Sequence, residues 1–148
     1  ALDDLAAKAP ENMRYSIYLM QAEFAMQDQD YSRAEQAYAT AAKLDADGAM
    51  GLMAALGQAG ALIKLDRPAD AVTLLQGLES RATEDGRATL RMLLGEAAEA
   101  AGKTDVAVAA YEALAASQPG LDGEFYRSRA EALGGGKTAP VKDGAENK

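Results

Sequence analysis

Apolar residues along this chain recur three and four positions apart, and polar or glycine-containing breaks interrupt the pattern at regular intervals. That spacing lines one face of an α-helix. No β-branched run with alternating polarity reads as a strand, so the pattern predicts an all-α chain. Residues 1–9 place Leu2, Leu5, Ala6 and Ala9 at helical spacing before Pro10. A residue before proline avoids the helical region, and a helix this short is not stable alone. The stub is expected either to dock or to fray.

Seven longer helices follow. The first, over 11–27, has Tyr15, Tyr18, Leu19, Ala22, Ala25 and Met26 as its apolar face. The second starts at Asp30 or Ser32, both good N-caps, and turns Ala34, Ala37, Tyr38, Ala41 and Ala42 inward. The third, over 49–65, carries Met53, Leu56, Ala59, Leu62 and Ile63. It also contains Gly57 and Gly60, each about 1 kcal/mol less favourable than alanine in a helix. Close approach of a neighbouring helix is the expected compensation. Pro68 suits the first turn of the fourth helix, which buries Ala71, Leu74, Leu75 and Leu78. Residues 81–86 read as a turn. The fifth helix, over 87–101, turns Leu90, Leu94, Ala97 and Ala98 inward, and the sixth, over 104–117, buries Ala107, Ala110, Tyr111 and Leu114. Pro119 and Gly120 stop it. The seventh, over 121–133, presents Phe125, Ala130 and Leu133. Residues 134–148 hold almost nothing apolar and are expected to form a flexible tail.

The helices repeat. Ala34, Ala71 and Ala107 align at spacings of 37 and 36; Tyr38, Leu75 and Tyr111 follow four positions later, and Ala22, Ala59 and Gly95 precede by twelve. A period of this size marks repeated helix–turn–helix units that bury their faces by stacking. The pattern resembles the tetratricopeptide repeat. The third unit matches best, through Leu94, Gly95, Gly102, Ala107, Tyr111 and Pro119; the first matches through Tyr18, Ala22, Tyr31, Ala34, Tyr38 and Ala41; the second keeps only Ala59, Ala71 and Leu75. The resemblance implies a right-handed α-solenoid of three helix pairs, over about 13–46, 50–83 and 88–120, with 121–133 as a capping helix. The period exceeds that of the family, so longer turns between units are expected. An acidic, alanine-rich array of this kind looks most like bacterial extracytoplasmic tetratricopeptide domains, some of them membrane-tethered and tied to envelope assembly or the translocon. That resemblance implies a periplasmic or extracytoplasmic location, with a cytoplasmic one as the alternative.

Composition narrows the function. The chain has 148 residues, enough for one domain with a core, and is 49% hydrophobic but only 5% aromatic. Much of the apolar content is alanine, which favours close helix-on-helix packing. The net charge of −8 repels phosphate backbones, so no nucleic acid is expected, whereas charge complementarity leaves room for a basic or polycationic partner. There is no cysteine and no histidine, which removes disulfides, most zinc sites and histidine-based catalysis. No apolar run reaches the length of a membrane-spanning helix. The first residue is alanine, and the expectation is a processed or trimmed product from which a signal or anchor was removed.

Three motifs invite chemistry and are better read as structure. Residues 97–104 fit the loose form of a phosphate-binding loop, but that loop follows a strand and opens a helix, whereas these residues end one. Gly136-Lys137-Thr138 is a weaker copy in the tail. Asp45-Ala46-Asp47-Gly48 looks like part of a calcium loop, but Lys43 and Ala54 stand where acidic ligands would be, so it reads as a turn. Glu96 and Glu99 share a helix face with no third ligand and read as a solvated face.

The resemblance points instead to a groove lined by the first helix of each pair. Those positions are Leu19, Glu23 and Met26, then Leu56, Gly60 and Ile63, then Met92, Glu96 and Glu99. An apolar, methionine-bearing surface that is acidic at one end suits an amphipathic helix or extended segment. The same residues could instead pack against the stub or a second copy. Lysine and asparagine of the family's carboxylate clamp are absent. The chain is therefore expected to be a non-enzymatic scaffold that binds a protein or peptide and holds no metal or cofactor. The alternatives are a self-associating structural subunit, such as a homodimer, and a carboxylate-dependent enzyme.

Overall fold

A computed structural model of the chain describes residues 2–134, and every regular element among them is helical. The helices are α1 (Leu2–Lys8), α2 (Glu11–Gln27), α3 (Tyr31–Leu44), α4 (Ala49–Lys64), α5 (Pro68–Leu78), α6 (Glu84–Ala100), α7 (Thr104–Ser117) and α8 (Leu121–Gly134); a single 3-10 turn, Glu79–Arg81, follows α5. Each helix packs on the next in the chain, and α4 also packs on α6.

The turns between α2 and α3, α4 and α5, and α6 and α7 are three copies of one device. Gln29, Asp66 and Gly102 each adopt a left-handed backbone, with φ of 60°, 58° and 69°. Their amides bond to the carbonyls of Met26, Ile63 and Glu99. The next amides, of Asp30, Arg67 and Lys103, reach back to Ala25, Leu62 and Ala98 at 2.8–2.9 Å. This pairing satisfies carbonyls that a helix end would otherwise leave bare. The copies fall at the spacing read from the alanines. The connections from α3 to α4, α5 to α6 and α7 to α8 differ from one another. In the first, the Asp45 carboxylate accepts from the Gly51 amide at 3.0 Å and caps α4.

The core is thin because its aligned residues are small. Ala22, Ala59, Ala34, Ala71 and Ala107 are fully buried, and Gly95 is buried with them. The main cluster runs from α4 to α8, and Leu75, Leu90 and Leu114 are its largest fully enclosed side chains. A smaller cluster joins Ala25, Ala34 and Ala61 across α2, α3 and α4.

Several sequence expectations change. The stub docks: Ala6 and Ala9 pack on Ile17 and Tyr18 of α2, and the Arg14 Nε donates to the Ala9 carbonyl at 3.1 Å. Its Leu5, expected inward, is 54% exposed. Asp30, not Ser32, caps α3, accepting from the Arg33 amide at 3.1 Å. The α6 helix begins at Glu84, three residues before its expected start, because Thr83 acts as N-cap and accepts from the Gly86 amide. A Cβ on Gly57 would meet the Tyr38 ring, so that glycine does mark a close approach, but nothing lies within 4 Å of the equivalent position on Gly60. Met53 and Phe125, picked out with the apolar residues of their helices, are exposed. The expected tail, with Gly136-Lys137-Thr138, lies outside the described residues apart from Gly134, which ends α8. Among the described residues, no helix is long and apolar enough to cross a membrane.

Candidate functional site

On α6, Met92, Glu96 and Glu99 lie four and three residues apart and so share one helical face. Beside them, Gly95 leaves room for a ring. Tyr111 of α7 fills that room, and its hydroxyl donates to Glu99 Oε2 at 3.2 Å. Tyr126 of α8 stacks on Tyr111 with centroids 6.1 Å apart and planes at 15°. Phe125 meets Tyr126 edge-on at 5.3 Å and 73°. Both geometries suit the aromatic quadrupole.

Arg129 lies one turn beyond Phe125. Its Nε donates to Glu99 Oε2 at 3.1 Å, and its Nη2 is paired with Glu99 Oε1. Glu99 is thus held by a two-point guanidinium contact and a phenol at once. Tyr111, Glu99 and Arg129 line a groove of about 720 Å³ together with Ile63, Met92, Glu96, Phe125 and Tyr126.

The electrostatics follow from that geometry. Burial, then the Glu99 charge and hydrogen bond, push the Tyr111 hydroxyl up to about 12, with Arg129 opposing and Glu96 adding to the rise. The hydrogen bond to Glu99 and its negative charge raise the Arg129 guanidinium above its ordinary value. A second pair sits on the α2 side. Tyr38 is raised by burial and by Glu23, and Tyr15, whose hydroxyl donates to the Met50 carbonyl at 2.8 Å, is raised by burial, Asp45 and Glu23.

Of the residues expected to line a groove, Ile63, Met92, Glu96 and Glu99 come together here. Leu19, Glu23 and Met26 sit on α2, outside this groove; Met26 packs against the Ala25–Ala34–Ala61 cluster, and Glu23 is exposed. Gly60 is partly exposed and does not line this groove. Leu56 does not face a groove at all: at 3% exposure it belongs to the core with Leu52 and Leu75. The expected solvated pair is also corrected, since Glu99 is engaged by Arg129 and Tyr111 while Glu96 stays exposed.

The α8 contribution of Phe125, Tyr126 and Arg129 escaped the sequence reading. The signal was present. Phe125 stands 36 residues after Thr89, which stands 36 after Met53. Carrying the repeat one step further would have aligned α8 with α4 and α6, the helices that supply Ile63, Met92, Glu96 and Glu99.

The phosphate-loop candidate is a turn, and the amides of Gly102 and Lys103 are taken up by the carbonyls of Glu99 and Ala98. Among the described residues, no three acidic side chains converge as metal ligands. The fold therefore defines an all-helical chain of sequentially paired helices with one repeated turn. No family model, no curated protein and no solved structure matches it.

Proposed function

We propose that this chain is a non-enzymatic binding module that receives a polypeptide segment in the groove between α4, α6 and α8. In this reading the fold is a right-handed α-solenoid of three tetratricopeptide-like pairs, α2–α3, α4–α5 and α6–α7, capped by α8. The repeated turn supports the array. The groove supports the function: it is open, lined more by apolar than by polar surface, and leaves Phe125 64% exposed and Met92 38% exposed. Exposed apolar surface beside a concavity marks interaction sites more often than chance packing does.

The test is selection of a displayed random-peptide library on the immobilised chain. Enriched peptides should bind wild type and lose binding to Met92→Asp/Phe125→Asp, whose helical circular dichroism is unchanged. Peptides that bind both proteins equally would place the site elsewhere. Leu56 is unsuitable as a probe because an aspartate there would break the core.

Self-association is a second reading, and one observation favours it. Met13, Met20 and Phe24 form an open apolar strip on α2, each about half exposed. Their counterparts by the repeat on α4 include Gly57 and Ala61, which pack against Tyr38 and the Ala25–Ala34 contact of the preceding helices. Sedimentation across concentration, with Met20→Glu/Phe24→Glu as the comparison, separates the two. A dimer that those changes dissolve supports the second reading, and a monomer at all concentrations removes it.

A further inference from the structure

The charges where α6 and α8 line the groove are not equivalent. Arg129 is the cation lining it, and its guanidinium is already engaged by both oxygens of Glu99. The third donor to Glu99 is the Tyr111 hydroxyl. Glu96 lies on the same face of α6, is exposed, and has no salt bridge among the described residues. The open charge of the groove is therefore negative. The rings of Phe125 and Tyr126 line the same groove, the first largely exposed.

Resting on the binding-module reading, we propose that this part of the groove is a subsite for a cationic side chain, lysine or arginine, of a segment whose neighbouring apolar residues lie on Ile63 and Met92. An aromatic face attracts a cation through its quadrupole, and an adjacent carboxylate adds direct charge attraction. The whole chain carries −8, so a basic segment is drawn in and an acidic one repelled. An acidic segment would meet Glu96 directly and would find the charge of Arg129 already offset by Glu99. The neutral Tyr111 hydroxyl adds no competing charge below strongly alkaline pH.

The probes are short synthetic peptides taken from the library selection, each made in three forms. The central lysine is kept, replaced by norleucine, or replaced by glutamate, and binding to the full chain is read by fluorescence anisotropy. The enriched set should be rich in lysine and arginine flanked by leucine, isoleucine or phenylalanine. The norleucine form should bind about tenfold more weakly, the scale of a partly desolvated cation–π contact. Glu96→Gln and Phe125→Ala should each weaken the lysine form several-fold and leave the norleucine form little changed. Raised salt should weaken the lysine form on wild type and act less on Glu96→Gln. Both changes are at exposed positions, and thermal unfolding of each variant should match wild type.

If peptides bind and compete with one another, are lost on Met92→Asp/Phe125→Asp, yet show no preference among the three forms, the cationic subsite is wrong and the binding module stands. Enrichment of acidic peptides overturns the subsite in the same way. Peptides that are indifferent to every groove variant overturn both.

Discussion

Gly95 lies directly beneath Tyr111: a Cβ on that glycine would stand 2.5 Å from the ring's Cε1. Gly57 lies beneath Tyr38 with the corresponding distance 2.6 Å. The two contacts look alike, but the rings are held differently. Tyr111 is 5% exposed, bonded to Glu99 and stacked on Tyr126. Tyr38 is half-buried. Alanine in place of glycine gains about 1 kcal/mol of helix propensity, and overpacking loses about 1–3 kcal/mol where the neighbour cannot move. Gly95→Ala should therefore destabilise by up to about 2 kcal/mol in urea unfolding, whereas Gly57→Ala should be near neutral because Tyr38 can swing outward. Equal effects at the two sites would show that Tyr111 is not pinned.

Gly60 sits inside α4 with nothing near its absent side chain. Here the propensity gain is unopposed. Gly60→Ala should stabilise the chain by about 1 kcal/mol, seen as a raised urea midpoint at constant slope. A loss would reveal a contact across the helix that the structure does not have.

The left-handed turn residues predict a graded series. A non-glycine residue in that conformation costs about 1–2 kcal/mol, less for aspartate, which tolerates it through local hydrogen bonds. Gln29→Gly should stabilise by about 1 kcal/mol, Asp66→Gly by less, and Gly102→Ala should destabilise by about 1 kcal/mol. Thermal or urea melts of the three variants check the order. Any other ranking would mean that the three turns are not the same device.

Tyr111 makes stability depend on alkaline pH. Its folded value is raised to about 12 from the ordinary 10, so the folded state holds the proton after the unfolded chain has released it. The stability this represents is intact below pH 10 and is lost as pH climbs from about 10 to 12. Tyr111→Phe should remove most of that decline, which urea midpoints across the window will show. Titration of tyrosinate absorbance in the native protein should show one of the six tyrosines ionising late. A late wave that persists in Tyr111→Phe would move the assignment to Tyr15 or Tyr38, which are also raised.

Helix positions and the repeat were legible because both are periodic. The alanines at 34, 71 and 107 set a spacing that the turns at Gln29, Asp66 and Gly102 then reproduce. Burial was less legible, since helical spacing says that residues share a face and not which neighbour covers it. Leu56 and Met53 lie three apart on α4; one is buried in the core and the other is 58% exposed. The lining of the candidate groove was half legible. Met92 and Glu96 followed from their place in the repeat. The tie from Glu99 to Arg129 joins residues thirty apart through side-chain geometry, and no spacing rule reaches that far.

The three matching turns also act as seams. The chain leaves Gln29, Asp66 and Gly102 with the same backbone hand and the same hydrogen bonds, so a block cut at one is geometrically fit to be rejoined at another. Duplicating residues 30–66 after Asp66 would insert a second copy of α3 and α4 while leaving α8 and its aromatic pair packed on α7. Such a lengthened chain should gain helix in proportion to its length and still bind the peptides selected on the parent. Far-ultraviolet dichroism and anisotropy measure the two properties separately, and loss of either would show that the units are not interchangeable.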